Sequence, residues 1–405
     1  MYTAKLISII IAILSAFWLW TDQGYEPLIV CLASISTLAS ISIISNKKCE
    51  SNGSIDNNSI SLNSKTKIND SWQNILTKAS ENLIIFGGDI SWIERDKDAI
   101  KKLFDKKTSV KVQVLCRRAE HENKEILSNL KNNLKQLIFS GAQTKFYVEQ
   151  RSKETKIRGL ISDPKLDYGE GLIISKISKK NIDRGTGLPG DEKNYEYLAT
   201  HLFKTKINNN IKIYYELFQK IWETALIGIV LEEKKEYTTA DYHKWLQYIP
   251  EYKDLREDDI SLKTIQICNL FSLCHVVKTY KFPFTSSLID AYQTQQLTLF
   301  SPCEVVSSTK PEKTILLPPI LEQHDANIVI IDGMHRLYYS YFYKKINKVN
   351  CLVIKSKKKL PSEIIPLNHV RVRTEKAQNR KDCFTSFNPK LFRQIDILDS
   401  KLIIK

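Results

Sequence analysis

Two long apolar runs open the chain. Leu6 to Trp20 carries no charge and, with Ala4, approaches the length that crosses a bilayer; Pro27 to Ile44 is a second such run. The loop between them, Thr21 to Glu26, holds two acids and no Lys or Arg, whereas Lys5 precedes the first run and Lys47-Lys48 follow the second. The positive-inside rule then places both ends in the cytoplasm. A cleaved signal peptide competes for the first run, but no clear A-x-A site intervenes before the second. Residues 1–45 are therefore expected to form a two-helix transmembrane hairpin at the bacterial inner membrane, multi-pass, with the soluble domains cytoplasmic. Neither span contains an ionisable residue, which points to an anchor rather than a transport pathway.

From residue 46 to 71 the chain is rich in Ser, Asn and Lys and reads as a flexible linker. Patterned sequence then resumes. A helix from Trp72 to Glu81, a strand from Asn82 to Gly88, a helix from Asp96 to Asp105 and a strand from Val110 to Cys116 are expected. A helix from Glu122 to Phe139 and a strand from Thr144 to Val148 follow. Such alternation predicts an α/β layer around a largely parallel sheet over residues 72–231. Residues 232–295 read as a helical connector, with helix-like spacing at Tyr242 to Leu246 and Leu262 to Tyr280. Residues 296–405 switch to short strands: Leu297 to Phe300, Val305-Val306, Ile315 to Leu321 and Ala326 to Ile331. Asp332-Gly333-Met334-His335-Arg336 then forms a Gly turn into a helix, before a last strand at Lys348 to Ile354.

Composition adds a constraint on partners. With 60 Lys+Arg against 45 Asp+Glu the formal charge is +15, which suits nucleic acid, anionic lipid or anionic small ligands and does not choose among them. Abundant Lys, Ile, Asn and Ser suggest an AT-rich bacterial coding sequence, so part of the Lys excess is codon drift. The eight Cys are irregularly spaced without a CxxC pair, which favours reduced thiols over a disulfide frame or a zinc site.

The segment Lys156-Ile157-Arg158-Gly159-Leu160-Ile161-Ser162-Asp163 resembles one repeat of the phospholipase D superfamily, whose signature is His-x-Lys-x4-Asp, and the later segment Tyr214 to Ala225 is similar to that family's closing helix. Lys156 takes the place of the nucleophilic His. Normally protonated at neutral pH, a Lys has no free lone pair for attack, so phosphodiester transfer by this domain is not expected. The resemblance implies a degenerate phosphate site at Lys156, Arg158 and Asp163. The plain alternative is a basic strand left exposed.

The later stretch LLPPILEQ to NIVIIDGMHRLYYSYFYKKINKVNCLVI resembles the nucleotide-binding fold shared by ParB-type partition proteins, sulfiredoxin and free-serine kinases. In that fold a Gly-containing turn and a His-Arg or Arg-Arg pair bind nucleotide phosphates. Met334 stands where sulfiredoxin needs Cys, and His335 where ParB carries Arg. The kinases' Asp-Gly-His-His-Arg matches Asp332 to Arg336 at four positions of five. The resemblance implies catalytic roles for Asp332, His335, Arg336 and, as base, Glu304. It implies cofactor binding by Gly333, His335 and Arg336, and Mg²⁺ on Asp332, with ATP or CTP as the nucleotide. Without a family, the same turn reads equally well as a capped helix start with a solvated Arg.

The expected fold class is α/β: two transmembrane helices, a single phospholipase D-like α/β repeat and a C-terminal ParB/sulfiredoxin-like α+β domain. The expected function is a membrane-anchored nucleotide-binding protein that hydrolyses or transfers an NTP phosphate. Two alternatives stand beside it. One is a nucleotide or nucleic-acid sensor coupled to a two-span effector of the bacterial antiphage type, and the other is a ParB-like nuclease, for which no metal-carboxylate cluster is recognisable. Expected partners are the membrane, a nucleotide, nucleic acid or anionic lipid at the basic runs 355–359 and 371–381, and a second copy of the chain as a homodimer.

Overall fold

The computed structural model describes residues 59–62, 64–88, 90, 93, 110–118, 124–147, 157–178, 195–204, 210–233, 237–356, 358–374 and 380–404. Their fold is α/β with mixed sheets. Both apolar runs expected to span a membrane lie outside these residues. Among the described residues no helix is long and apolar enough to cross a bilayer. The expected fold class is corrected accordingly: it loses its two transmembrane helices, and the multi-pass inner-membrane location argued from them is withdrawn.

An eight-stranded sheet organises the first half. Its strands are β1 (Ser59–Leu62), β2 (Asn82–Phe86), β3 (Lys111–Arg117), β4 (Gln143–Tyr147), β5 (Ile157–Ser162), β6 (Glu170–Ser178), β7 (Tyr195–Phe203) and β8 (Leu226–Ile227), in the order β1-β7-β6-β5-β2-β3-β4-β8. Only the neighbours β2, β3 and β4 run parallel, so the expected largely parallel sheet is instead mixed. The three parallel strands follow the βαβ logic that their apolar runs announced; β5, β6 and β7 then meander antiparallel. Three helices cover this sheet: α1 (Lys65–Lys78), α2 (Lys124–Phe139) and α3 (Asn210–Thr224). The linker expected to run to residue 71 stops earlier. β1 pairs with β7, Ser64 caps α1 by accepting from the Lys67 N–H at 3.2 Å, and Trp72, Ile75 and Leu76 of that helix enter the core. The expected helix from Asp96 to Asp105 lies outside the described residues.

The chain crosses to the second half at Gly228, where a Cβ would sit 3.0 Å from the Thr144 carbonyl oxygen and 3.1 Å from Leu134 Cδ1. Beyond it come β9 (Ile229–Glu232), α4 (Thr239–Leu246), β10 (Ile260–Gln266), β11 (Leu270–Ser272), β12 (Val276–Lys278) and α5 (Phe282–Thr294). Then follow β13 (Cys303–Ser307), β14 (Lys310–Leu316), β15 (Ile320–His324), β16 (Asn327–Ile330), α6 (Met334–Phe342), β17 (Lys348–Lys355), β18 (Ile365–Pro366), β19 (Arg371–Arg373) and α7 (Ile397–Lys401). A six-stranded sheet runs β10-β17-β15-β16-β11-β18, and a three-stranded one β14-β13-β9. Val230 and Val306 from the small sheet enter the core of the first half, while Ile229 and Leu231 enter that of the second. Alternation along β9 thus joins the two cores.

The stretch 232–295 is not a helical connector. Its helix-like run from Leu262 to Tyr280 is broken into strands because β10 finds β17 and β12 finds β19, partners far along the sequence. The end of the chain packs into the fold. Arg393 is 2% exposed, and Leu398 and Leu402 are buried beside Tyr242, Leu246 and Tyr252. Arg393 donates from Nε and Nη2 to the two oxygens of the fully buried Glu322, both at 2.8 Å. Tyr252 donates to the same carboxylate at 2.5 Å, and His324 Nε2 lies 2.7 Å from it. Burial alone would raise this carboxyl, but the bonds from His324, Arg393 and Tyr252 hold it below the ordinary Glu range.

Candidate functional site

The turn from β16 into α6 is fixed by backbone before any side chain acts. Asp332 and Ile320 exchange hydrogen bonds, N–H to carbonyl at 3.0 Å and 3.2 Å, which pins the turn against β15. Gly333 follows at φ 84° and ψ 16°. A Cβ there would come within 2.7 Å of Pro319 Cβ, so both the left-handed backbone and the space require glycine. The first helical bond runs from the Leu337 N–H to the Gly333 carbonyl at 3.0 Å. That leaves the amides of Met334, His335 and Arg336 without intrahelical partners. No side chain caps them and no acid stands in the first turn itself, so the carboxylate next to the positive end of the helix is that of Asp332, just before the N-cap.

Arg336 braces this turn. It donates from Nη1 to the Leu317 carbonyl at 2.6 Å and from Nη2 to Asp332 Oδ2 at 3.0 Å, and its guanidinium lies 5.7 Å from the centre of the Phe300 ring. Asp332 stays 45% exposed, so the carboxylate that meets Arg336 also faces solvent.

His335 Nε2 accepts the Lys278 N–H at 3.2 Å, which places the ring proton on Nδ1. Burial, then Lys281 and Lys278, push its pKa down to about 4, with Asp332 opposing. At neutral pH it offers one N–H donor and no charge. Lys278 and Lys281 are the cations flanking it, and sequence reasoning missed both. The hydrogen bond brings Lys278 to His335 from 57 positions away, a juxtaposition no local motif signals.

Asp399 of α7 was missed as well. Burial raises its carboxyl, and the charge of Asp332 adds to the rise while Lys310 and Lys281 oppose it. Two carboxylates therefore feel one another near these lysines. Among the described residues no group of three metal-ligating side chains stands together. Mg²⁺ bound together with a nucleotide needs only one or two protein carboxylates, phosphate and water completing the shell.

Two other expected groups have fold partners. Glu304, 2% exposed in β13, is ion-paired with Lys313, which also bonds Glu232 at 2.9 Å. That partnership makes Glu304 a structural carboxylate rather than a free base. Met334 packs its sulfur 3.4 Å from Ser272 Oγ.

In the first half, Lys156 lies outside the described residues. Arg158 and Asp163 stand at opposite ends of β5, about 16 Å apart at about 3.3 Å per residue, too far to share a phosphate. The Asp163 carboxylate accepts from the backbone N–H groups of Ser80, Glu81 and Asn82 at 2.8–2.9 Å and from the Ser80 hydroxyl at 3.1 Å. It anchors the start of β2. Arg158 packs on Gly88, whose Cβ would meet its guanidinium at 2.7 Å, and its buried Nε has no partner among the described residues.

No family model matches the chain, and no curated protein matches it. Solved structures give partial likenesses. TrmBL2, an archaeal chromatin protein with a novel mode of DNA binding, is 14% identical over 51% of this chain and 66% of its own, with a TM-score of 0.28. NucT from Helicobacter pylori is 17% identical over 41% of this chain and 96% of its own, with a TM-score of 0.25. Polyphosphate kinase from Porphyromonas gingivalis is 9% identical over 66% of this chain and 47% of its own, with a TM-score of 0.27. At these scores none of the likenesses carries an argument for this chain.

Proposed function

We propose that the chain binds a nucleoside triphosphate at the start of α6 and hydrolyses or transfers its terminal phosphate there. One observation carries the reading: Gly333 opens an uncapped helix N-terminus between Lys278, Lys281 and the half-exposed Asp332. In this reading the first-turn amides and the His335 Nδ1 proton meet phosphate oxygens, Lys278 and Lys281 supply charge, and Arg336 holds the turn in place. Asp332, with Asp399 near it, would hold Mg²⁺, which when bound neutralises charge on the phosphates.

The test is a titration of the purified chain with ATP, CTP and GTP, with and without Mg²⁺. Arg336→Ala is expected to weaken binding about ten-fold or more, and Lys281→Gln, an exposed position, several-fold at unchanged melting temperature. Failure to bind any of the three nucleotides refutes the reading. Binding without turnover is a second reading, favoured by the partnered state of Glu304 and the neutral His335. Steady release of phosphate separates the two.

A further inference from the structure

A cleft between the two cores plays no part in the site at Asp332. Leu130 and Leu134 of α2 and Phe146 of β4 form one wall; Ile227, Ile229 and Ala291 of α5 form the other. The free space between these walls, open solvent included, is about 670 Å³. Arg117 and Arg118 stand at its edge, where the parallel strands β3 and β4 end. Ligands of α/β sheets gather outside such carboxyl ends.

The polar groups around this cleft divide into two kinds. Most are already engaged with other groups of the protein. Arg118 meets Asp290 at 2.6 Å and donates to Thr294 Oγ1 at 3.1 Å. The Gln295 side chain accepts from the Leu231 N–H and donates to the Ile229 carbonyl, both at 3.0 Å. Ser287 Oγ accepts from the Ile227 N–H at 2.8 Å and donates to the Pro283 carbonyl at 2.7 Å.

Lys131 is different. It lines the cleft half-buried, with no hydrogen bond or ion pair to any described residue. The first carboxylate in its field, Glu232, is already ion-paired with both Lys135 and Lys313. Burial lowers the Lys131 pKa, and Glu232 restores only part of it. The buried Arg118 Nε likewise has no partner among the described residues. A half-buried ammonium on an apolar cleft is complementary to an acidic group on an apolar body.

We infer that this cleft binds a small amphipathic anion, its chain or ring held between the two apolar walls and its acidic head on Lys131. Each core supplies one wall, so the ligand favours the docked arrangement of the two halves. The second wall also leads to the nucleotide site: Phe282, at the start of α5, packs its ring against Tyr338, Tyr339 and Tyr343 at the far side of α6 and just beyond it.

The inference is independent of nucleotide binding and is tested on the full chain. Decanoate, 1-naphthoate and the neutral analogue decanol are each titrated against bound 8-anilinonaphthalene-1-sulfonate, whose fluorescence reports displacement. Wild type is expected to bind at least one of the two acids, and the stronger acid identifies the body as a chain or a ring. Lys131→Gln should weaken that acid about ten-fold or more and leave decanol unaltered, with no loss of melting temperature. Lys131→Arg should keep the preference for acid over alcohol. No displacement by either acid, or equal affinity of wild type and Lys131→Gln for the acids, overturns the proposal.

Discussion

The two segments in which the sequence suggests a phosphate site place similar residues at similar spacing and use them in opposite ways. Arg158 and Asp163 lie on a strand, where five residues stretch to about 16 Å, so the pair divides between the two ends of the sheet. Asp332 and Arg336 span a turn and the first coil of a helix, where four residues come back to one face, and their charged groups meet at 3.0 Å. The surroundings differ as sharply. Asp163 is buried under four donors of the chain's own, whereas Asp332 keeps almost half its surface in solvent. A carboxylate becomes part of the fold when the chain supplies its donors, and stays available for chemistry when it does not.

The comparison ranks the carboxylates by commitment to the fold: Glu322, then Asp163, then Asp332. Replacing Arg393 with Ala strands Glu322 in the core and should remove about 3–5 kcal/mol of stability in urea denaturation. A loss under about 1 kcal/mol would mean that water reaches Glu322 and that the ranking fails at its top. Asp163→Ala leaves the amides of Ser80, Glu81 and Asn82 unpaired and should cost about 2–4 kcal/mol while nucleotide affinity stays put. Any fall in affinity beyond the unfolded fraction would return Asp163 to the list of ligand-binding groups.

Acid gives the next effect. The folded pKa of His335 is about 4 against an ordinary value of 6.5, so between these values the unfolded chain binds the extra proton. The stability held by the neutral ring is present above pH 6.5 and is lost as pH falls toward 4, by roughly 2–3 kcal/mol. His335→Gln should flatten that slope relative to wild type, the acidic residues titrating alike in both. Identical slopes would show the ring to be solvated. The smallest effect on the fold belongs to Asp332→Asn, expected to change stability by less than about 1 kcal/mol yet to weaken Mg²⁺-nucleotide binding about ten-fold. Should it destabilise the protein more than Asp163→Ala, the contrast between the two motifs would be gone.

Local pattern made much of this legible. The apolar strands β2, β3 and β4, the helices α2 and α3, and the passage from β15 through Gly333 into α6 and β17 all follow from periodicity and a turn glycine. What failed was non-local. β10 exposes most of its positions and exists because β17 pairs with it, so its apolar spacing imitated a helix. α5 begins Phe282-Pro283 and is buried over most of its length, which hides the one-sided pattern of a surface helix. Lys278 and Asp399 come to the candidate site from far along the chain, and the last residues carry the Arg393 that pairs with the buried Glu322.

That last contact sets an order of events during synthesis. Glu322 precedes its guanidinium partner by 71 residues. At about 5–20 residues per second the ribosome needs roughly 4–14 s to deliver it. Late in that interval β17 joins β15, and Glu322 then has Tyr252 and His324 beside it but still lacks its guanidinium partner. The second sheet thus has reason to stay open as a nascent chain and to close only when residues 391–402 emerge, which makes its maturation a timed step rather than a continuous one. Limited proteolysis of stalled chains ending before and after Arg393 would record the change as a gain in protection.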